Sequence, residues 1–489
     1  MIKSLNEFGL WPHQLSTIKD LRTAPTPRRL LAYEMGCGKT RTASVAMEDD
    51  ASAGLSEYYF VVCPKAVTGV WLSELNNDRY ENLTPYVLDK SYRKLSVAKR
   101  HDWLRDRVTY CKIHGRAAVF ILNYELISCA KSSRRQAAGA FALLTPPSGI
   151  VFDESHWLAN ASSVRSKSAV KIVGRMHSAA LVLCLSGTPV TTCPLTVFTQ
   201  AQLINPEVFG DSFYAFRKRH TITETIYAAG GRQVEVAKEI VGLDEINRGI
   251  ESIADVVKCA DVQKDLPEVI NQFIGFDLGC AKQYSELDSE LILQVAEGYV
   301  TADNALEKFL RLRMLTSGIV TLDDEVKTID DSRAGVLSEL LQIAQPSAQD
   351  QNPVIIFYEF TEELRQIENV CKSLGLTVAS ISGHDKSGLD IETGKLAEGF
   401  DVVAVQLNAG TVGVDLTAAS IGIFYRHPIR GWHVLDQAIK RLHRPGQAKP
   451  VRCVHISANG TIDEKIYNAL IDQRNVADFL INDYRNGKG

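Results

Sequence analysis

Ala32-Tyr33-Glu34-Met35-Gly36-Cys37-Gly38-Lys39-Thr40 decides how this chain is read. It ends an apolar run at 29–33 and opens a helical stretch, so it lies where a strand gives way to a helix. Small residues at such a junction let backbone N–H groups point at phosphates, and a helix N-terminus favours negative charge. Lys39 is placed to reach β- and γ-phosphates, and the Thr40 hydroxyl to ligate Mg²⁺. The generic P-loop glycine, five residues before Gly38, is Tyr33 here. The competing reading is a glycine-rich turn that only caps a helix; the preceding strand argues for phosphate binding. Cys37 reads as a small filler rather than a reactive thiol.

Working outward, short apolar runs alternate with amphipathic stretches in two parts of the chain. The first holds candidate strands at 29–33, 59–63, 118–122, 149–152 and 181–185; the second at 354–357, 377–381, 401–406, 421–425 and 451–456. Near-continuous apolar strands are buried on both faces, which predicts an α/β fold with two parallel sheets wrapped by helices. From about 207 to 330 the alternation gives way to helical spacing, as at 281–297 and 304–315. The expected organisation is a phosphate-binding lobe at 1–205, a helical insertion and linker at 206–330, and a second lobe at 331–489. That second lobe ends in a terminal helix from 462 to about 484. A surface loop is expected at 342–352.

The 489 residues and 54.0 kDa suit about three ordinary domains. With 45% hydrophobic and 23% charged residues the composition is that of a folded globular chain and excludes a disordered one. No apolar run approaches the roughly 18 residues of a membrane span, and the N-terminus lacks a signal-like apolar core. The expected location is therefore the cytoplasm, with no membrane partner. Ten cysteines without a C-x-x-C pair suggest neither a zinc knuckle nor a disulfide framework. A net charge of −4 does not advertise a nucleic-acid binder, yet a backbone-tracking groove needs basic residues on one face only. Basic clusters occur at Arg93, Lys94, Lys99, Arg100, Arg105 and Arg107; at Lys131, Arg134 and Arg135; and at Arg217, Lys218 and Arg219. Each reads first as a solvated helix face.

Two further constellations carry chemistry. Asp153-Glu154-Ser155-His156 follows the apolar run at 149–152, and a carboxylate at a parallel strand's C-terminal end points into the crevice where ligands bind. Asp153 is expected to hold Mg²⁺ through water, and Glu154 to orient the attacking water. In Asp436-Gln437-Ala438-Ile439-Lys440-Arg441-Leu442-His443-Arg444-Pro445-Gly446-Gln447, helical spacing puts Gln437, Arg441 and Arg444 on roughly one face. Guanidiniums presented to a γ-phosphate neutralise charge that develops in phosphoryl transfer. His443, between the arginines, reads as structural.

Taken in order, these stretches resemble the Swi/Snf-type ATPases of helicase superfamily two over nearly the whole chain. Leu10-Trp11-Pro12-His13-Gln14 is similar to that family's adenine-reading glutamine motif, and 32–40 resembles its motif I, which also lacks the first Walker glycine. Val61-Val62-Cys63-Pro64-Lys65, followed by Trp71, resembles motif Ia, and Leu122-Asn123-Tyr124-Glu125 the tyrosine-bearing motif after it. Asp153-Glu154-Ser155-His156 stands for the DEAH-like box and Leu185-Ser186-Gly187-Thr188-Pro189 for motif III. In the second lobe, Val354-Ile355-Ile356-Phe357 resembles motif IV, Ala409 to Thr417 motif V, and Gln437 to Gln447 motif VI.

The resemblance implies two RecA-like lobes and a DNA-dependent ATPase, a helicase-like motor that translocates on duplex DNA without separating its strands. It implies ATP and Mg²⁺ as cofactors and DNA as a non-specific partner tracked along its backbone. By the same resemblance Gln14, Met35, Gly36, Cys37, Gly38, Lys39, Thr40, Gly413 and Asp415 bind nucleotide. Lys39, Asp153, Glu154, Gln437, Arg441 and Arg444 serve catalysis, Thr40 and Asp153 the metal, and Pro64, Lys65, Thr188 and Thr411 nucleic acid. The sequence departs from the family pattern at Tyr33, Ala159, Asp415 and Arg430, which bears on how ATP state couples to DNA stepping. A compact core of this kind resembles bacterial and phage members, without the histone- or DNA-reading modules of large remodellers. Other readings stay open: a strand-separating DNA or RNA helicase, a motor that displaces a bound protein, and an inactive nucleic-acid clamp.

Overall fold

All ten apolar runs are strands in the computed structural model, which describes residues 8–54, 56–127, 137–187, 193–228, 232–262, 266–296, 302–322, 325–349, 352–390, 394–407 and 414–472. The first part contains β1 (Arg28–Tyr33), β2 (Tyr58–Cys63), β3 (Leu83–Val87), β4 (Ala117–Asn123), β5 (Gly149–Asp153), β6 (Leu181–Leu185), a hairpin of β7 (Thr221–Ala228) and β8 (Arg232–Ile240), and β9 (Ala254–Val257). Apart from that hairpin they form one parallel sheet in the order β3-β4-β2-β5-β6-β1-β9. Every residue of β2, β4, β5 and β6 is buried, because helices cover both faces.

The second part contains β10 (Val269–Phe276), an antiparallel pair of β11 (Ile319–Leu322) and β12 (Glu325–Thr328), then β13 (Val354–Tyr358), β14 (Val378–Ile381), β15 (Val402–Gln406), β16 (Ile421–Phe424) and β17 (Val451–Ala458). Its parallel sheet runs β10-β17-β16-β13-β15-β14. No described helix is long and apolar enough to cross a membrane.

The middle of the chain differs from the sequence expectation. The chain divides into two compact units at Val262/Gln263, within the stretch expected as an insertion and linker. The expected helices are there, at Ala281–Ala296 and Ala302–Thr316, but the described residues of the region also form six strands. β9 extends the first sheet beside β1, and β10 extends the second beside β17. Both are edge strands with exposed residues, so they never read as continuous apolar runs. The expected loop at 342–352 begins later than foreseen, because the helix Ser332–Ala344 runs into it. The terminal helix is described over Ile462–Ile471; the rest of the expected helix lies outside the described residues.

The second unit is fastened by buried charge. Arg313, Arg333 and Arg426 are each 1% exposed. Arg426 pairs with Glu363 and, at 3.5 Å, with Asp463; Arg333 pairs with Asp463, and Arg313 with Glu359 at 2.5 Å. Thr316, Ser317 and the carbonyls of Arg313, Thr316 and His427 complete the network. Residues from three helices, the end of β16 and the N-terminal turn of Ile462–Ile471 thus meet at one point. Burial opposes ionisation of Asp463, but Arg333 and Arg426 outweigh it and hold the carboxyl at about 2. Beside the network, His427 Nε2 lies 3.1 Å from His455 Nδ1, and His455 Nε2 3.2 Å from Asn271 Oδ1. Burial lowers His455 to about 4 and His427 well below its usual value.

This arrangement predicts two acid windows. An unfolded histidine gains a proton below about pH 6.5, whereas folded His455 does so only near 4, so stability falls as pH drops between those values. The Asp463 contribution is complete above about pH 3.9 and is lost as pH falls towards 2. Asp463→Asn leaves two buried guanidiniums short of counter-charge and is expected to cost about 3–5 kcal/mol. Denaturant unfolding of the variant and of the wild type from pH 7 down to about 2 measures both effects.

Candidate functional site

Because β6 pairs with β5 on one side and β1 on the other, the loops leaving all three strands emerge side by side at the sheet's carboxyl edge. The loop after β1 is the glycine stretch. Gly36 and Gly38 adopt φ of 86° and 78°, conformations that L side chains rarely adopt. At Gly38 space adds a second demand, since a Cβ there would lie 2.1 Å from Gln14 Nε2. Lys39 is the first residue of the helix Lys39–Ser52, and its Nζ donates to the Tyr33 and Glu34 carbonyls at 2.8 and 3.2 Å. Tyr33, standing where a generic P-loop has glycine, is buried and hydrogen-bonded through its hydroxyl to Thr17 at 2.6 Å. Its backbone carbonyl serves Lys39 and its side chain serves the core.

Gln14 belongs to this loop. Its Oε1 accepts the Trp11 N–H at 2.8 Å, capping its own helix, and its Nε2 donates to Gly38 O at 3.2 Å. His13 Nε2 lies 3.0 Å from Cys37 O. Cys37 is fully buried, and a hydrogen bond with Cys259 followed by burial raises its thiol well above the usual value, as suits a filler. Met35 and Thr40 are half-buried in the same stretch.

The loop after β5 carries the acids. Asp153 is buried, and burial followed by repulsion from Glu154 raises its carboxyl to about 6 despite the opposing pull of Trp71 and Lys39. Glu154 sits in the left-handed region at φ 51°, ψ 51°, one of two described non-glycine residues with positive φ. Its carboxylate is 3.3 Å from His156 Nδ1, which is 3.4 Å from Ser186 Oγ. Burial lowers His156, so it is neutral at pH 7. Gly187, leaving β6, closes the group: a Cβ there would lie 3.7 Å from both Lys39 Nζ and Met35 N. Lys39, the glycine loop, Asp153, Glu154 and Gly187 thus lie together at the carboxyl edge; Gly187 was not among the site residues expected from the sequence.

A Mg²⁺ ion suits these residues. Asp153 is buried beside the half-buried Glu154, whose charge opposes its ionisation; a cation would relieve that repulsion, and hydroxyl plus carboxylate oxygens are the hard donors that Mg²⁺ takes alongside water and phosphate. The described residues hold no cluster of three or more His, Cys, Asp or Glu able to hold a metal ion.

In the second unit, Gln437 and Arg441 lie one turn apart on the helix Trp432–Leu442. Arg444 does not share that helix face. The helix stops at Leu442, since Pro445 biases the preceding residue away from helical geometry and Gly446 turns at φ 102°. Gln447 pins the turn, its Nε2 donating to the Thr417, Ala419 and Leu442 carbonyls. His443 Nε2 lies 2.6 Å from Pro267 O, the structural role expected of it. Asp415 Oδ1 accepts from the Thr417 N–H and hydroxyl. Thr188, Thr411 and Gly413 lie outside the described residues, as do Lys131, Arg134 and Arg135. Pro64 is buried and Lys65 exposed. Of the first basic cluster, Arg100 is buried and donates to Arg93 O, and Arg107 lies 3.7 Å from the Trp103 ring centroid. Those two serve packing.

The fold and this carboxyl-edge grouping define a P-loop-type α/β protein with a second parallel-sheet unit. The SNF2-related domain profile matches residues 20–318, and that of the helicase conserved C-terminal domain matches 333–446. The chain belongs to the SNF2-related family. Chromodomain-helicase-DNA-binding protein 1-like from Danio rerio is 23% identical over 98% of this chain and 45% of its own length. The SWI/SNF-related matrix-associated actin-dependent regulator of chromatin subfamily A-like protein 1 homolog of Caenorhabditis elegans is 27% identical over 90% of this chain and 57% of its own. The chain thus spans about half the length of these relatives. The Pyrococcus furiosus Hef helicase domain superposes with a TM-score of 0.54 at 14% identity, covering 96% of this chain and 99% of that one. Both units are RecA-like lobes.

Proposed function

We propose that this chain is an ATP-driven motor on DNA, hydrolysing ATP to ADP and phosphate in response to duplex DNA. The observation that carries the reading is the convergence of the glycine loop, Lys39, Gly187 and the Asp153–Glu154 pair within one lobe. Family membership supports the reading, as does the ordered set of motifs.

In this mechanism the N–H groups at the start of Lys39–Ser52 and the Lys39 ammonium cradle the β- and γ-phosphates. Gln14, tied to the glycine loop, meets the adenine. Thr40 and Asp153 are the residues that would hold Mg²⁺, which when bound neutralises phosphate charge. Glu154, aimed by its left-handed backbone and the neighbouring His156, orients the attacking water. Arg441 and Arg444 supply positive charge to the transferring phosphoryl group, a role supported by their motif; Gln437 and Asp415 are assigned to nucleotide on the same ground. Lys65 and Pro64, with Thr188 and Thr411, contact the DNA backbone, so binding is sequence-tolerant and weakens with salt.

Displacement of a third strand from a triplex tests the motor. ATP-dependent ejection with the underlying duplex left intact is expected. Separation of a forked duplex at low salt would instead mark a strand-separating helicase, and neither activity would overturn translocation.

A further inference from the structure

The buried Asp153 carboxylate is fixed by a residue from a different layer of the lobe. Trp71, on the helix Thr68–Leu75, is 0% exposed, and its Nε1–H donates to Asp153 Oδ2 at 2.8 Å. Asp153 Oδ1 accepts the Glu154 N–H at 3.0 Å, and the Tyr124 hydroxyl donates to the Asp153 backbone carbonyl at 2.8 Å. Among the described residues, Trp71 is the only side chain hydrogen-bonded to this carboxylate.

The torsion that turns a carboxylate about its last bond is broad and soft, so a buried carboxylate with free oxygens does not aim at anything. A donor on each oxygen removes that freedom. An indole suits the task, because its N–H donates only and the fused ring is held by packing on every side. The helix that carries it packs on β3, β4 and the P-loop helix, so the donor and the phosphate loop share one support.

We infer that Trp71 is the positioning residue of the metal-binding carboxylate, its indole N–H fixing the orientation in which Asp153 meets Mg²⁺. The inference rests on the ATP-site reading above. Removal of such an outer-shell donor typically costs about 10–100-fold in metal affinity or activity.

The test is ADP binding by calorimetry, with EDTA and with Mg²⁺, on the wild type, on Trp71→Phe, and on the full chain with benzothienylalanine at position 71. The last keeps the bicyclic shape and replaces N–H by sulfur, so it separates the hydrogen bond from packing if the smaller phenyl ring destabilises the lobe. Expected is near-normal ADP affinity in EDTA with the Mg²⁺-dependent tightening reduced about tenfold or more in the benzothienyl form. Unchanged Mg²⁺ tightening in that form overturns the inference, and so does an equal loss of affinity with and without Mg²⁺. A wild type whose ADP affinity ignores Mg²⁺ would overturn the ATP-site reading, a failure read directly from the control.

Discussion

Lys39→Ala is expected to abolish ATP turnover while leaving the fold intact. The lysine begins the helix Lys39–Ser52, so alanine, the best helix former, suits the backbone there. What the change removes is charge and reach. Nζ donates to the Tyr33 and Glu34 carbonyls and stands beside Gly187, within the electrostatic field of Asp153. Without it, the β- and γ-phosphates lose their main protein cation, and the glycine loop loses two of its internal bonds. Turnover is expected to fall to background, with circular dichroism unchanged. Near-normal turnover would sink the phosphate-cradle assignment.

Arg444→Ala is expected to spare nucleotide binding and to lower kcat by about 10³-fold or more, the scale of a lost arginine finger. The structure favours a clean result. Arg444 lies past the end of its helix, in a turn closed by the Gln447 N–H on the Arg444 carbonyl at 3.0 Å. The Gln447 side chain holds that turn through three carbonyls, none of which needs the guanidinium. Arg444 Nε is buried without a hydrogen-bond partner among the described residues, so truncation breaks no bond of that atom. Steady-state kinetics beside ADP affinity measures the split. A variant that loses only DNA affinity would contradict the assignment.

The sequence made the central strands plain, because burial on both faces leaves uninterrupted apolar runs such as Tyr58–Cys63 and Ala117–Asn123. Of the edge strands, β14 read as an apolar run, but β3, β9 and β10 escaped for the complementary reason. β3 contains Pro85, which an edge tolerates, while β10 carries Asn271 and Gln272 on exposed positions. β9 and β10 are what join the middle of the chain to one sheet or the other. Helical spacing through Arg444 was carried two residues too far because periodicity outlasts the helix, and Pro445-Gly446 was the stop signal in plain view.

The glycine loop and acid pair were legible because their chemistry is written in short strings. The Trp71–Asp153 bond was not, because the two residues are 82 positions apart and meet only once strand order is known. The same holds for Arg333 and Asp463, which lie 130 residues apart. A charged residue in a helical stretch reads as solvated, and nothing local tells that these are buried together.

Phosphate release by the wild type with no nucleic acid, single-stranded DNA, duplex DNA and RNA, with Lys39→Ala as the blank, tests the central claim most directly. The account predicts strong stimulation by duplex DNA, absent from the variant. Turnover that duplex DNA leaves unchanged, or that persists in Lys39→Ala, would contradict it.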